Sequence, residues 1–305
     1  MKNVLNYYYN LNPTSIHQVN KNYRCYIDDD EYLLVSCDRD SEVINEIFEL
    51  SKYLLENQIP CHQIILNKSG EIITIINALP YILLKIFIKN RMTSIDDLIF
   101  FSNFNFNDNE FKRLNKSNWQ DLWVRKIDYF EYQVSQLGKR FPIVKESFNY
   151  YVGLAENGIS LFNNLLPKED YNLIISHKRV KLNDGIMELL NPLNFILDNK
   201  VRDLSEFIKE QFFYGNYSFE RAKVDIYKFQ LVDEQYIMLF SRLLFPTYYF
   251  DCYEDVIHGN VSEKELIKII NKNSEYLKFL RNVYNYLRQF TNMPEIEWLI
   301  KNVGL

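Results

Sequence analysis

The chain has 305 residues, 47% hydrophobic and 25% charged, with a net charge of −5. That is enough for one large or two modest domains, without the positive footprint that duplex nucleic acid requires. Cys25, Cys37, Cys61 and Cys252 stand far apart with no CxxC spacing, which argues against a zinc site or a disulfide framework and for a reduced interior.

The composition leans to Tyr (23) and Phe (22), as AT-rich coding favours, against 8 Gly and 8 Pro. Few glycines leave few places where backbone can approach a phosphate closely. The opening MKNVLNYYYNLNP lacks the apolar stretch of a secretory signal. The most apolar run, residues 72–88, carries Asn77, Pro80 and Lys85 and does not read as a membrane span. These features predict a soluble, cytoplasmic protein with neither nucleic acid nor membrane as a partner.

In chain order, NYRCYIDDDEYLLVSC (22–37) places two β-type runs around Asp28-Asp29-Asp30, a hairpin signal. Residues 41–57 set Val43, Ile44, Ile47, Leu50, Leu54 and Leu55 on one helical face, with Ser41 as the expected N-cap. IPCHQIIL, the turn at 67–70 and EIITIIN predict a second hairpin, and 81–88 a strand or short helix. Beyond residue 91 the pattern turns helical. Residues 117–137 carry Trp119, Leu122, Trp123, Ile127, Phe130 and Val134 roughly on one side, and 142–165 form another helix. YNLIISH (171–177) reads as a short strand and 185–198 as a hairpin. Helices are expected over 203–213, 218–229, 232–245 and 262–290. The plan is α+β in two lobes: a β-rich lobe over 1–90 and a helical lobe over 91–305.

That order resembles the aminoglycoside phosphotransferase and choline kinase-like superfamily, nearest to the kinase-like proteins associated with bacterial spore coats. The likeness is carried by LLENQIP before a KSGE turn, by WQDLW and IDYFE, and by YYVGLAENGI, IISHKRV and FILDNKVRDLSEFI in the expected order over residues 20–290. It implies a two-lobed protein-kinase-like fold, with ATP and Mg²⁺ as the cofactors of any active member.

Phosphoryl transfer is mostly positioning and charge neutralisation. The resemblance therefore allows the parts to be compared one by one. Between the first strands stands DDDE, with no glycine; three carboxylates would repel a triphosphate, and a solvated turn is the simpler reading. Val35 or Ser36 occupies the position of the strand lysine, while Glu46 stands where its helix partner belongs, in the cofactor cleft or as an ordinary helix carboxylate. In the catalytic loop His177 is followed by Lys178 and Arg179, so Arg179 replaces the base; a guanidinium does not accept a proton at neutral pH. Asp184 and Asp198 fall at the metal-binding positions and form a candidate Mg²⁺ pair. The alternative is that Asp184 caps a turn while Asp198 pairs with Arg179 or Arg202. Asp203 is expected to cap a helix and bond back to His177 or its loop, with Arg202 beside it as structural support. The resemblance also implies that His-x-Arg and the nearby Arg-Asp belong to the spore-coat subfamily.

Three functions follow as expectations. The first is a degenerate kinase, a pseudokinase acting as a binding or scaffold protein for a protein or small molecule, with a link to the spore coat. Each missing charge contact costs about 10²–10³ in rate, and three are missing. The second is an atypical ATP- and Mg²⁺-dependent phosphotransferase acting on a small molecule. The third is a protein that keeps its cleft for a non-nucleotide ligand between Glu46, Asp184 and Asp198.

Overall fold

The computed structural model describes residues 1–19, 21–104, 110–165, 173–182 and 185–300. Asp184 lies outside the described residues. The chain divides into two compact units, the first made of Met1–Thr93, Asn107–Asn115 and Asn183–Leu197, the second of Ser94–Phe106, Lys116–Leu182 and Asp198–Leu305.

The first unit opens with helix α1 (Lys2–Tyr9), then strands β1 (Ser15–Val19), β2 (Asn22–Ile27) and β3 (Asp30–Ser36), helix α2 (Ser41–Glu56), and strands β4 (Gln63–Ile65), β5 (Thr74–Ile76) and β6 (Leu79–Ile86). The antiparallel sheet runs β1-β2-β3-β6-β4, with β5 also paired to β6. Alternation decides its faces. Cys25, Tyr32, Leu34, Tyr81 and Leu83 point to one side, where Leu5 and Tyr9 of α1 pack on them. Leu33, Leu84 and Ile64, in register across β3, β6 and β4, are buried on the other. α2 buries Ile44, Ile47, Leu50 and Leu54 at helical spacing.

Three expectations change here. Asp40, not Ser41, caps α2, its Oδ1 accepting the Glu42 amide at 2.8 Å. The turn at 67–70 does not close a hairpin: β4 and β5 pair instead with successive stretches of one edge of β6, Leu83–Lys85 and Leu79–Tyr81, the other edge being taken by β3. The tight turn lies later, at Asn77 and Ala78, both with positive φ. The stretch 185–198 is not a hairpin but helix α6 (Gly185–Leu189, numbered in chain order), a 3-10 turn at Pro192–Asn194 and strand β8 (Phe195–Asp198). Met187, Glu188 and Leu189 favour helix, and Asn191 caps the turn by accepting the Leu193 amide.

The second unit contains α3 (Ile95–Ser102), α4 (Trp119–Leu137), α5 (Pro142–Asn163), β7 (Ile174–His177), α7 (Val201–Tyr214), α8 (Phe219–Lys228), α9 (Glu234–Leu244), α10 (Thr247–Ile257), α11 (Lys264–Asn271), α12 (Asn273–Leu287) and α13 (Glu297–Ile300). The single helix expected over 262–290 is two, broken at Lys272, whose ammonium donates to the Phe212 and Phe213 carbonyls near the end of α7. The aromatic load fills the interior: Trp123 stacks on Phe245 with centroids 4.4 Å apart, and Tyr151 on Tyr249 at 3.6 Å. Among the described residues, no helix is long and apolar enough to cross a membrane.

Candidate functional site

The site is built where β7 ends and α7 begins. β7 is buried throughout and delivers His177 to its C-terminal end, fully enclosed. Asp203, in the first turn of α7, holds that residue twice: Oδ1 accepts the His177 amide at 3.0 Å and Oδ2 accepts Nδ1–H at 2.6 Å. The ring is thereby fixed in orientation, with Phe101 edge-on at 5.3 Å. Arg202, one residue earlier, reaches the other way. Its Nε donates to the His177 carbonyl at 3.1 Å, Nη2 to the Lys178 carbonyl at 3.4 Å, and Nη1 to Asp198 Oδ2 at 2.7 Å.

Asp198 is completely buried at the end of β8. The Trp119 indole N–H lies 2.9 and 3.1 Å from its two oxygens, and the Asn199 amide donates to Oδ1 at 2.7 Å. Burial pushes this carboxyl above its ordinary range, against the pull of Arg202, Arg242 and the indole. Each of these hydrogen-bond partners, among the described residues, is a donor. Among the described residues no three His, Cys, Asp or Glu side chains cluster to hold a metal.

Arg179, two residues beyond His177, forms a bidentate pair with Asp251 of α10 (Nε to Oδ2 2.5 Å, Nη2 to Oδ1 2.6 Å), and its Nη1 donates to the Lys178 carbonyl at 2.8 Å. Lys126 of α4 stands 3.8 Å from Asp251 and 3.0 Å from Glu254. The loop from His177 to Arg179 is thus tied down by two guanidiniums, each with its own carboxylate.

Behind it lies a buried network that the sequence reading missed. Glu206 of α7 accepts from Lys209 at 2.9 Å, Arg242 at 2.8 Å and Thr247 at 2.7 Å. Burial alone would raise the Glu206 carboxyl, but the Lys209 and Arg242 charges outweigh it and hold it below the usual carboxylate range. Burial pulls the Lys209 ammonium down to about 8, even against Glu206. Arg242 also lies 4.5 Å over the Trp119 ring, joining the network to the neighbour of Asp198. The available signal was the spacing of Arg202, Glu206 and Lys209 on a helix whose other positions are largely apolar, which leaves a charged stripe no clear route to solvent.

In the first unit, Glu46 accepts the Arg113 amide at 2.9 Å and lies 3.6 Å from its guanidinium, which also pairs with Glu42. Val35 is in register with Ile82, and the Ser36 amide donates to Asn22 at 3.1 Å. Lys85 of β6 pairs with Asp30 at 2.6 Å beside the Asp28–Asp29 turn.

A family model described as "Spore coat putative kinase YutH" matches residues 2–283. The endospore coat-associated protein YutH of Bacillus subtilis (strain 168) is 28% identical over an alignment of 339 positions that covers 96% of both chains. Among solved structures, an aminoglycoside phosphotransferase from Alicyclobacillus acidocaldarius superposes with a TM-score of 0.66 at 10% identity, over 91% of this chain and 93% of the other. A spectinomycin phosphotransferase, solved with ADP and spectinomycin, gives 0.59 at 13%, over 94% and 97%. At these identities the structural likeness is one of fold: an α+β, aminoglycoside phosphotransferase-like kinase fold.

Proposed function

The chain belongs to the spore coat YutH family, and from that membership we propose that it is a pseudokinase: a kinase-fold binding or scaffold protein of the spore coat that does not transfer phosphate. The observation that carries this reading is the bidentate Arg179–Asp251 pair at the loop position where a phosphotransferase places its base. A guanidinium held this way accepts no proton, and the nearest carboxylate is engaged in neutralising it. The enclosed Asp198, ringed by N–H donors, supports the same reading.

The test uses the purified full-length chain with ATP and GTP, each with Mg²⁺ or Mn²⁺. Neither nucleotide consumption nor a rise in melting temperature at millimolar nucleotide is expected, since only a ligand that favours the folded state stabilises it. The variant Arg179→Asp, which restores an acid to the loop, is expected to gain no turnover. Steady consumption by the wild type would overturn the proposal. That result would favour the other reading, an atypical phosphotransferase acting on a small molecule, which the word "kinase" in the family description favours.

A further inference from the structure

Helices α4 and α5 form a helical hairpin joined through residues 138–141, and their outward faces leave a groove of about 370 Å³. Val124, Ile127, Asp128 and Glu131 line it from α4, and Glu156, Ile159, Ser160 and Asn163 from α5. Both sets follow the i, i+3, i+4, i+7 spacing, so each helix presents one continuous ridge over two turns. Two parallel ridges with a furrow between them are the seat that a third helix fills in a ridges-into-grooves contact. The floor is apolar: Ile127 is buried, Ile159 half-buried and Val124 38% exposed. The rim carries the exposed carboxylates of Asp128, Glu131 and Glu156, with no lysine or arginine in the lining among the described residues. Lys126, on the same helix, is directed to Asp251 and Glu254.

We propose that this groove is a docking surface for an amphipathic helix of another protein, one with an aliphatic seam flanked by lysine and arginine. The length of the two ridges selects a helix over a compact cation: seven residues of helix run about 10 Å, two full turns of a partner. The acidic rim selects the sign of the flanks, and the aliphatic floor selects the seam. The proposal does not rest on the absence of phosphate transfer, because none of its residues belongs to the loop at Arg179 or to Asp198.

The test is fluorescence anisotropy on the full-length chain with a labelled synthetic helix of leucines at heptad positions a and d and lysines at e and g. A second peptide carries glutamates at e and g. Saturable binding of the lysine peptide is expected, weakening as salt is raised. The variant Asp128→Lys/Glu131→Lys/Glu156→Lys is expected to weaken it by about tenfold and to improve binding of the glutamate peptide. All three positions are exposed, so the fold should survive. Should the triple variant fail to fold, the single Glu156→Gln is expected to lower affinity about twofold. Absence of saturable binding, equal binding of both peptides, indifference to these substitutions, or complete displacement by free spermine would each overturn the proposal. In the last case the groove would hold only a counterion.

Discussion

Replacing Asp198 by asparagine separates a structural carboxylate from one kept for a ligand. In the wild type the buried side chain accepts from the Trp119 indole, the Asn199 amide and Arg202 Nη1. Asparagine keeps one acceptor oxygen for the indole or the amide but turns an NH₂ group toward the Arg202 guanidinium, which is only 12% exposed. Breaking one side of a buried ion pair costs about 3–5 kcal/mol. The retained hydrogen bond returns about 1 kcal/mol, and burial already disfavours the ionised carboxylate. A loss of about 3 kcal/mol is therefore expected for Asp198→Asn. Asp198→Ala should cost about 1 kcal/mol more, because it leaves both N–H donors unpaired. Adding Arg202→Met to Asp198→Asn should recover part of the loss, since the stranded charge is removed. Urea unfolding followed by tryptophan fluorescence reads all of these, Trp119 being in direct contact. An Asp198→Asn protein as stable as the wild type, or more stable, would refute the reasoning, because carboxylates held for function are commonly relieved by neutralisation.

Three further outcomes are expected. His62 is 1% exposed, bonds the Met187 carbonyl through Nε2 at 2.9 Å, and is pulled by burial from 6.5 to about 4. The unfolded chain takes up this proton first, so stability should fall between pH 6.5 and 4 by roughly 3 kcal/mol, and His62→Gln should flatten that limb in urea midpoints measured across it. A Cβ on Gly158 would meet the Ser241 carbonyl at 2.8 Å and the Phe245 amide nitrogen at 3.3 Å. Gly158→Ala should therefore lose about 1–2 kcal/mol, whereas Gly153→Ala, with nothing within 4 Å, should gain about 0.5–1 kcal/mol from helix propensity in the same melts. Ala78 sits at φ +63°. Ala78→Gly should stabilise by about 0.5 kcal/mol, the difference between the left-handed cost to an L-residue and the entropy of glycine, and a melting temperature below wild type would count against it.

Sequence periodicity delivered the parts of the fold that have one wet face. α2, α4 and α5 alternate apolar and polar residues at helical spacing, and β2 and β3 flank an unmistakable acidic turn. The parts it missed lack that contrast. α10 (TYYFDCYEDVI) is aromatic on several sides because it is largely enclosed, so no polar stripe declares a helix. The break at Lys272 carries no Gly or Pro; it is set by the reach of the lysine to the carbonyls of Phe212 and Phe213. β4 and β5 carry ordinary strand sequences, and only the long-range pairing of each with a different stretch of one β6 edge decides that they do not pair with each other. The loop residues His177, Arg179, Asp198, Arg202 and Asp203 are legible as a series because they are close in sequence and stand in the order that the resemblance implies. Asp251, Glu206, Lys209 and Arg242 were not, since a partner is a property of packing rather than of spacing.

That distinction bears on how the loop should be understood. Arg179 carries its charge at the end of a buried strand with its own side chain partly exposed, so its countercharge chiefly fixes its geometry. Here Arg179 has Asp251 in bidentate geometry and Arg202 has Asp198, while both guanidiniums also take the Lys178 carbonyl. The two pairs meet on one backbone atom, so each fixes the plane against which the other is aligned. Asp203 adds its two bonds to His177 from the same turn of α7 that carries Arg202. A loop held from α7 and α10 together has little freedom to tighten around a reacting group. Its charges hold its shape, and the proposed binding or scaffold role rests on that rigidity.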